Sequence, residues 1–181
     1  MGFENLHHVM AGLGWDEANR GIKKLFSKSQ EIDCDIFAFA CQFDLLKSSE
    51  DIIHAGNLIH KTGFIKHSGD NMTGHGEGDD EKIFIDLDSL PAMYNKIIIA
   101  ANIHGANEKK QNFGMIKNAF VRVYDSDNNN EICKLNLTRD YSEFTSIIFC
   151  ELLKVGGVWK FNLIAHGTND GTMKDIAQKL S

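Results

Sequence analysis

The chain has 181 residues, 43% hydrophobic and 24% charged, with 16 Gly and a single Pro, a composition that suits one folded domain and excludes disorder, collagen and coiled coil. No apolar run approaches the ~20 residues a bilayer crossing needs, and Met1 to His8 carry no basic patch ahead of an apolar stretch, so neither a membrane span nor a secretory leader is expected and the cytoplasm is the expected location. With 25 acidic against 19 basic residues the formal charge is −6, which argues against a nucleic-acid backbone as partner and suits a cation.

Short β-branched or aromatic runs, separated by Gly, Asn, Asp and Ser clusters, predict an all-β fold, an antiparallel β-sandwich of one domain spanning 1–181. In chain order the expected strands begin with His7 to Leu13, after which Ala18 to Gln30 reads as a locally basic surface loop. Cys34 to Cys41, Lys82 to Leu87, Lys96 to Ile103 and Ala119 to Tyr124 follow, then Ile132 to Leu137, Thr145 to Leu153 and Val158 to His166. Alternation in the Ala119 to Tyr124 run turns Arg122 outward, whereas Ile97 to Ala101 is apolar throughout and belongs in the centre of a sheet. Ser126 to Asn130 and Gly156-Gly157 have the chemistry of hairpin turns. Met173, Ile176, Ala177 and Leu180 recur at helical spacing after Thr172, an N-cap, and predict a short C-terminal helix against a sheet edge. Cys34, Cys41, Cys133 and Cys150 are scattered in apolar stretches and read as small buried hydrophobes.

Chemistry concentrates between Gly69 and Glu81, where Asp70, Glu77, Asp79, Asp80 and Glu81 stand among alternating glycines. So many like charges repel unless a cation neutralises them, and the glycines let backbone carbonyls turn inward as well. Carboxylate, amide and carbonyl oxygens suit calcium, which takes six to eight such ligands. Soft metals are disfavoured, because no cysteine is near and His75 stands alone. A second cluster, Glu31, Asp33 and Asp35, falls on one face of a strand start, with Ile32, Cys34 and Ile36 on the other. The two segments can share one site; a merely solvated loop is the alternative.

These segments resemble the TerD-like tellurium-resistance (stress) proteins. The likeness is carried by Gly12-Leu13-Gly14-Trp15-Asp16, by Asp33-x-Asp35, and by His67-x-Gly69-Asp70-Asn71-Met72-Thr73-Gly74-x-Gly76-Glu77-Gly78-Asp79-Asp80-Glu81. It continues through Ile103-His104, Gln111 to Gly114, Asn118 to Val123, Glu151-Leu152 and Gly156-Gly157-x-Trp159-Lys160-Phe161. The resemblance implies a non-enzymatic β-sandwich of cytoplasmic stress operons that binds one or two calcium ions, with some eukaryotic relatives described as cyclic-AMP-binding. Its implied ligands are Asp33 and Asp35 in the first segment and Asp70, Asn71, Thr73 (through its backbone oxygen), Glu77, Asp79 and Asp80 in the second. It also implies protein partners in a stress-response complex, with no nucleic acid and no membrane insertion. The sequence departs from the pattern at Glu31, His75 and Gly105, where members carry other acids, and before Gly12, where members have a further strand; the domain is expected to be N-terminally shortened, with a rearranged or partner-covered edge.

Other readings are weaker. His67 and His104 have no visible nucleophile, no G-x-S-x-G elbow exists, and the glycine loop lacks a Walker lysine. Trp15, Trp159, Phe120 and Phe161 are expected in the core. The rival functions are a metal-dependent phosphoester hydrolase, with an ion on Asp33, Asp35 and Asp79, and a nucleotide binder whose phosphates the ion bridges.

Overall fold

In the computed structural model, which describes residues 5–16, 32–74 and 78–181, the apolar runs pair into ten antiparallel strands. They are β1 (His8–Asp16), β2 (Cys34–Gln42), β3 (Ile52–Ile53), β4 (Ile65–His67), β5 (Glu81–Asp86), β6 (Tyr94–Ile103), β7 (Lys117–Asp125), β8 (Asn130–Asn136), β9 (Ser146–Val155) and β10 (Val158–Thr168). Three short helices are α1 (Ala106–Lys109), α2 (Leu137–Asp140) and α3 (Met173–Gln178). All eight expected strands form; β3 and β4, two and three residues long, are too short to show a period in sequence. Ala18 to Gln30, Glu31, His75 and Glu77 lie outside the described residues.

The strands make two sheets of five, ordered β4-β5-β1-β7-β8 and β10-β9-β6-β2-β3. Their inner faces enclose one apolar core, with Ala11 and Leu13 of β1 and Val121 and Val123 of β7 meeting Ile36 and Ala38 of β2 and Ile97 and Ile99 of β6. The alternation read from β7 holds: Ala119, Val121 and Val123 are buried while Arg122 stands on the outer face. Gly156 and Gly157, at φ +60° and +85°, close the β9–β10 hairpin in the backbone region that glycine enters without penalty. All four cysteines are free, three of them buried. No helix among the described residues is long and apolar enough to cross a membrane.

Two expectations are corrected. The C-terminal helix lies over the outer face of the second sheet, not at its edge. Phe37, Phe39 and Cys41 of β2, Ile98 and Ala100 of β6 and Ile148 of β9 make that face apolar, and Ile176 of α3 is wholly buried among them. Strands apolar on both sides need cover on both. A capping box starts the helix, with Thr172 Oγ1 accepting from the Asp175 N–H and Asp175 Oδ2 from the Thr172 N–H. The second correction is Phe120. Trp15 and Trp159 are buried and Phe161 packs against the core, but Phe120 sits on the outer face of β7, with Lys134 Nζ 3.8 Å from its ring centre.

Removing the plug of this second core tests the helix's role. Ile176→Ala is expected to lower unfolding stability by about 2–5 kcal/mol in urea titration, the range for a large aliphatic deleted from a core; a loss below about 1 kcal/mol would mean that α3 does not seal the face.

Candidate metal centre

The site begins where β2 leaves the core. Ile32, Cys34 and Ile36 point inward and are buried, so alternation turns Asp33 and Asp35 to the outer face, half-buried, as the sequence requires. Next to them on β6, Asn102 is buried on the same face. The acidic loop between β4 and β5 folds back toward this corner.

Glu81, the first residue of β5, joins the two segments. Residues 81, 83 and 85 share a phase, so Glu81 enters the interior in line with Ile83 and Ile85 and its side chain is wholly inaccessible. Strand β3 pairs only with Ala38 and Phe39, which leaves the Ile36 N–H without a strand partner on that margin. Glu81 Oε2 accepts from it at 3.0 Å, while Oε1 accepts from the Asn71 N–H at 3.2 Å. His67 Nδ1 accepts from the Gly69 N–H, and its buried Nε2 lies 3.4 Å from Glu81 Oε2 without a hydrogen bond.

Around Glu81 the carboxylates converge. One oxygen from each of Asp35, Asp70 and Glu81 lies within 4.8 Å of the others. Burial, and then the charge of Asp70, pushes Asp33 up to about 6; burial, and then the charge of Glu81, pushes Asp35 up to about 6. His104, its Nδ1 3.5 Å from Asp35 Oδ2, offsets both in part. Asp33 Oδ1 and Asn102 Oδ1 are buried acceptors that no donor reaches. Both residues line an open cleft of about 960 Å³ together with Asp35 and Asp70. Anionic oxygens gathered together, beside unpartnered acceptors, fit a hard divalent cation.

The other described residues of the implied ligand set hold the loop. Asp80 Oδ2 accepts from the Trp15 N–H at 2.8 Å and Oδ1 from Asn71 Nδ2 at 2.9 Å, and burial raises its carboxyl. Asn71 Oδ1 in turn accepts from the N–H and the hydroxyl of Thr73. Asp79 is drawn away altogether: Arg122 Nε and Nη2 donate to its two oxygens at 2.6 and 2.9 Å on the outer face of the first sheet. Asp35 and Asp70 are therefore brought together, with Asp33 beside them, while the side chains of Asn71, Thr73 and Asp80 brace the backbone. Glu81 is the member that the implied set omits. Its signal was present in the sequence as a carboxylate in phase with two core isoleucines.

The comparisons agree with this architecture. A family model for the TerD domain matches residues 2–180. Stress response protein SCP2 of Bacillus subtilis (strain 168) is 40% identical over 182 residues, 98% of this chain and 92% of that protein. Tellurium resistance protein TerD of Serratia marcescens is 35% identical over 175 residues, 96% of this chain and 88% of that protein. The crystal structure of a homologue of telluride resistance protein (TerD), SCO6318 from Streptomyces coelicolor A3(2), has the same fold at a TM-score of 0.81 and 19% identity, covering 97% of this chain and 98% of that one. The chain belongs to the TerD family of tellurium-resistance and stress-response proteins.

Proposed function

We propose that this TerD-family chain is a non-enzymatic, cytoplasmic calcium-binding module whose acidic loop is ordered by the ion into a surface for a protein partner of the stress response. The observation that carries the reading is the approach of Asp35, Asp70 and Glu81 to one another, beside the unpartnered oxygens of Asp33 and Asn102. Asp33, Asp35, Asp70 and Glu81 bring four carboxylates from both acidic segments, enough negative charge for one or two ions. A bound cation supplies charge neutralisation there. Asp70 is exposed and Asp35 half-buried, so occupancy ties a strand of one sheet to the loop that precedes β5 of the other. Ordering of that kind changes the surface around Met72, which is 61% exposed.

A second reading, a nucleotide binder, is favoured by the cleft itself, since Lys109 and Lys174 stand on the wall shared with Asp33 and Asp35. Hydrolysis is less well served. Arg122, the residue suited to clamp a phosphate, is committed to Asp79 and stands on the outer face of the other sheet.

Calorimetric titration of chelator-stripped protein with calcium and with magnesium is expected to show calcium-selective uptake, lost in Asp35→Asn and Asp70→Asn. At one hundred times the dissociation constant the ion is expected to add about 2.7 kcal/mol of stability. Folded wild-type protein that takes up no calcium would refute the reading, and uptake that depends on added nucleotide would favour the second one.

Proton linkage gives a further check. Asp33 and Asp35 sit at about 6 in the folded chain against about 4 when unfolded, so the metal-free folded state holds these protons more tightly. Their contribution is then largest below about pH 4, declines as pH rises through 6 and is flat above about pH 7. The melting temperature of metal-free wild-type protein, measured relative to Asp35→Asn, is expected to fall across that window, and saturating calcium at pH 7 is expected to reverse the difference. A flat difference from pH 4 to 7 would mean that the two carboxylates are not confined as the fold places them.

A further inference from the structure

Asp79 has the sequence context of an ion ligand and the surroundings of an anchor. Its side chain is 3% exposed and meets the Arg122 guanidinium in a two-point contact. Arg122 is held in turn. Its Nη1 donates to the Tyr124 hydroxyl at 2.7 Å and lies 3.4 Å from Glu131 Oε2, and its Cζ stands 4.6 Å from the Tyr124 ring centre and 5.3 Å from that of Phe120. A planar cation beside two rings and with a partner at every nitrogen presents its fork in one orientation.

The glycines of β1 make the contact possible. Gly12 pairs with Arg122 on one side and Lys82 on the other, which places it directly under the ion pair. A Cβ at position 12 would collide with the Asp79 carboxylate, and one at position 14 with the Gly78 carbonyl and the Phe120 ring. The close approach of the loop exit to β1 is therefore written into Gly12-x-Gly14.

From this anchor a short chain of contacts leads to the ion cluster. Asp80, the next residue, is pinned by the Trp15 N–H and donates its own N–H to the Leu13 carbonyl at 2.8 Å. It accepts from Asn71 Nδ2, and the Asn71 N–H reaches Glu81. Asp70, one residue before Asn71, is thereby set against Asp35 and Glu81.

We infer that Asp79 and Arg122 form a clamp that positions the acidic loop over β1, and that Asp79 is a positioning residue for the ion site, not one of its ligands. The inference rests on the calcium reading above and separates the second acidic segment into residues that meet the ion and residues that aim them.

The two roles for Asp79 predict opposite signs at Arg122. If Asp79 were a ligand, Arg122 would compete with the ion, and Arg122→Gln would tighten calcium binding. For a clamp, Arg122→Gln and Asp79→Asn are both expected to weaken calcium about 10- to 100-fold, the range for groups that orient metal ligands. The Asp79→Asn/Arg122→Gln double variant is then expected to be no weaker than the worse single, because the two act as a unit. Gly12→Ala, which displaces Asp79 without removing a charge, is expected to weaken binding in the same direction. Calorimetric affinity is read beside amide exchange at Trp15, Asn71 and Asp80, whose protection is expected to fall in the metal-free single variants.

Tighter or unchanged calcium binding by folded Arg122→Gln overturns the clamp while leaving the calcium reading intact. Wild-type protein that binds no calcium overturns both. If a single variant fails to fold through an unpaired buried charge, the neutral double variant and Gly12→Ala decide; failure of these to fold would make the pair a general element of the fold and overturn the inference.

Discussion

A carboxylate without water is the constraint around which this corner of the fold is arranged. Glu81 is wholly buried at the start of β5, and an unpaired charge in such a place is costly by several kcal/mol. Two N–H groups answer it, that of Ile36 from the opposite sheet and that of Asn71 from the loop. Each ties Glu81 to a different segment. The same residue that joins the sheets also brings the loop down onto the strand that carries Asp33 and Asp35. Sandwich closure and the assembly of the anionic cluster are thus one event.

Negative charge is sorted within thirteen residues of chain. Asp70 and Glu81 face Asp35 and their charge opposes its ionisation, whereas Asp79, nearby in sequence, meets a guanidinium on the opposite side of the sheet. Asp80 lies between the two environments and is spent on a backbone N–H and an amide. A run of acids that looks uniform in sequence therefore has three electrostatic situations. Among the described residues of the run, only the first has excess charge for a cation to neutralise, and beside it the acceptors Asp33 Oδ1 and Asn102 Oδ1 stand without donors.

Much of the fold was legible. Eight strands were visible as alternating or continuous apolar runs because their periodicity extends over enough residues to be counted. β3 and β4 were not, since two or three residues carry no period. The place of α3 followed from a fact about β2 and not about the helix: Phe37, Phe39 and Cys41 alternate with Ile36, Ala38 and Ala40, so both faces of the strand are apolar and one of them needs the helix as cover. Of the site, Asp33 and Asp35 could be placed on one face by parity alone. Glu81 shares the phase of Ile83 and Ile85, but Asp79 could not be assigned in the same way, because it lies in the loop before β5 begins and Gly78 at φ +94° breaks the alternation just before it. Phe120 shares the phase of Arg122, and that parity, not its aromatic character, sets its place on the outer face of β7.

The glycines of β1 show why the motif must be long. Strand pairing fixes Gly12 opposite Arg122 and Leu13 opposite Glu81, so adjacent residues of β1 lie beneath the outward clamp and beside the inward carboxylate. Gly74 extends the contact further, since a Cβ there would strike the Trp15 indole. A loop resting on a strand at three glycine-sized clearances has little freedom to slide. A shift by one residue would bring Asp80 toward Arg122 and turn Glu81, Ile83 and Ile85 together out of the core, leaving their place to Lys82, Phe84 and Asp86. The Gly-x-Gly of the first strand, the paired aspartates and the arginine of β7 are hence parts of a single register lock, and the anionic cluster sits where that lock leaves carboxylates facing one another.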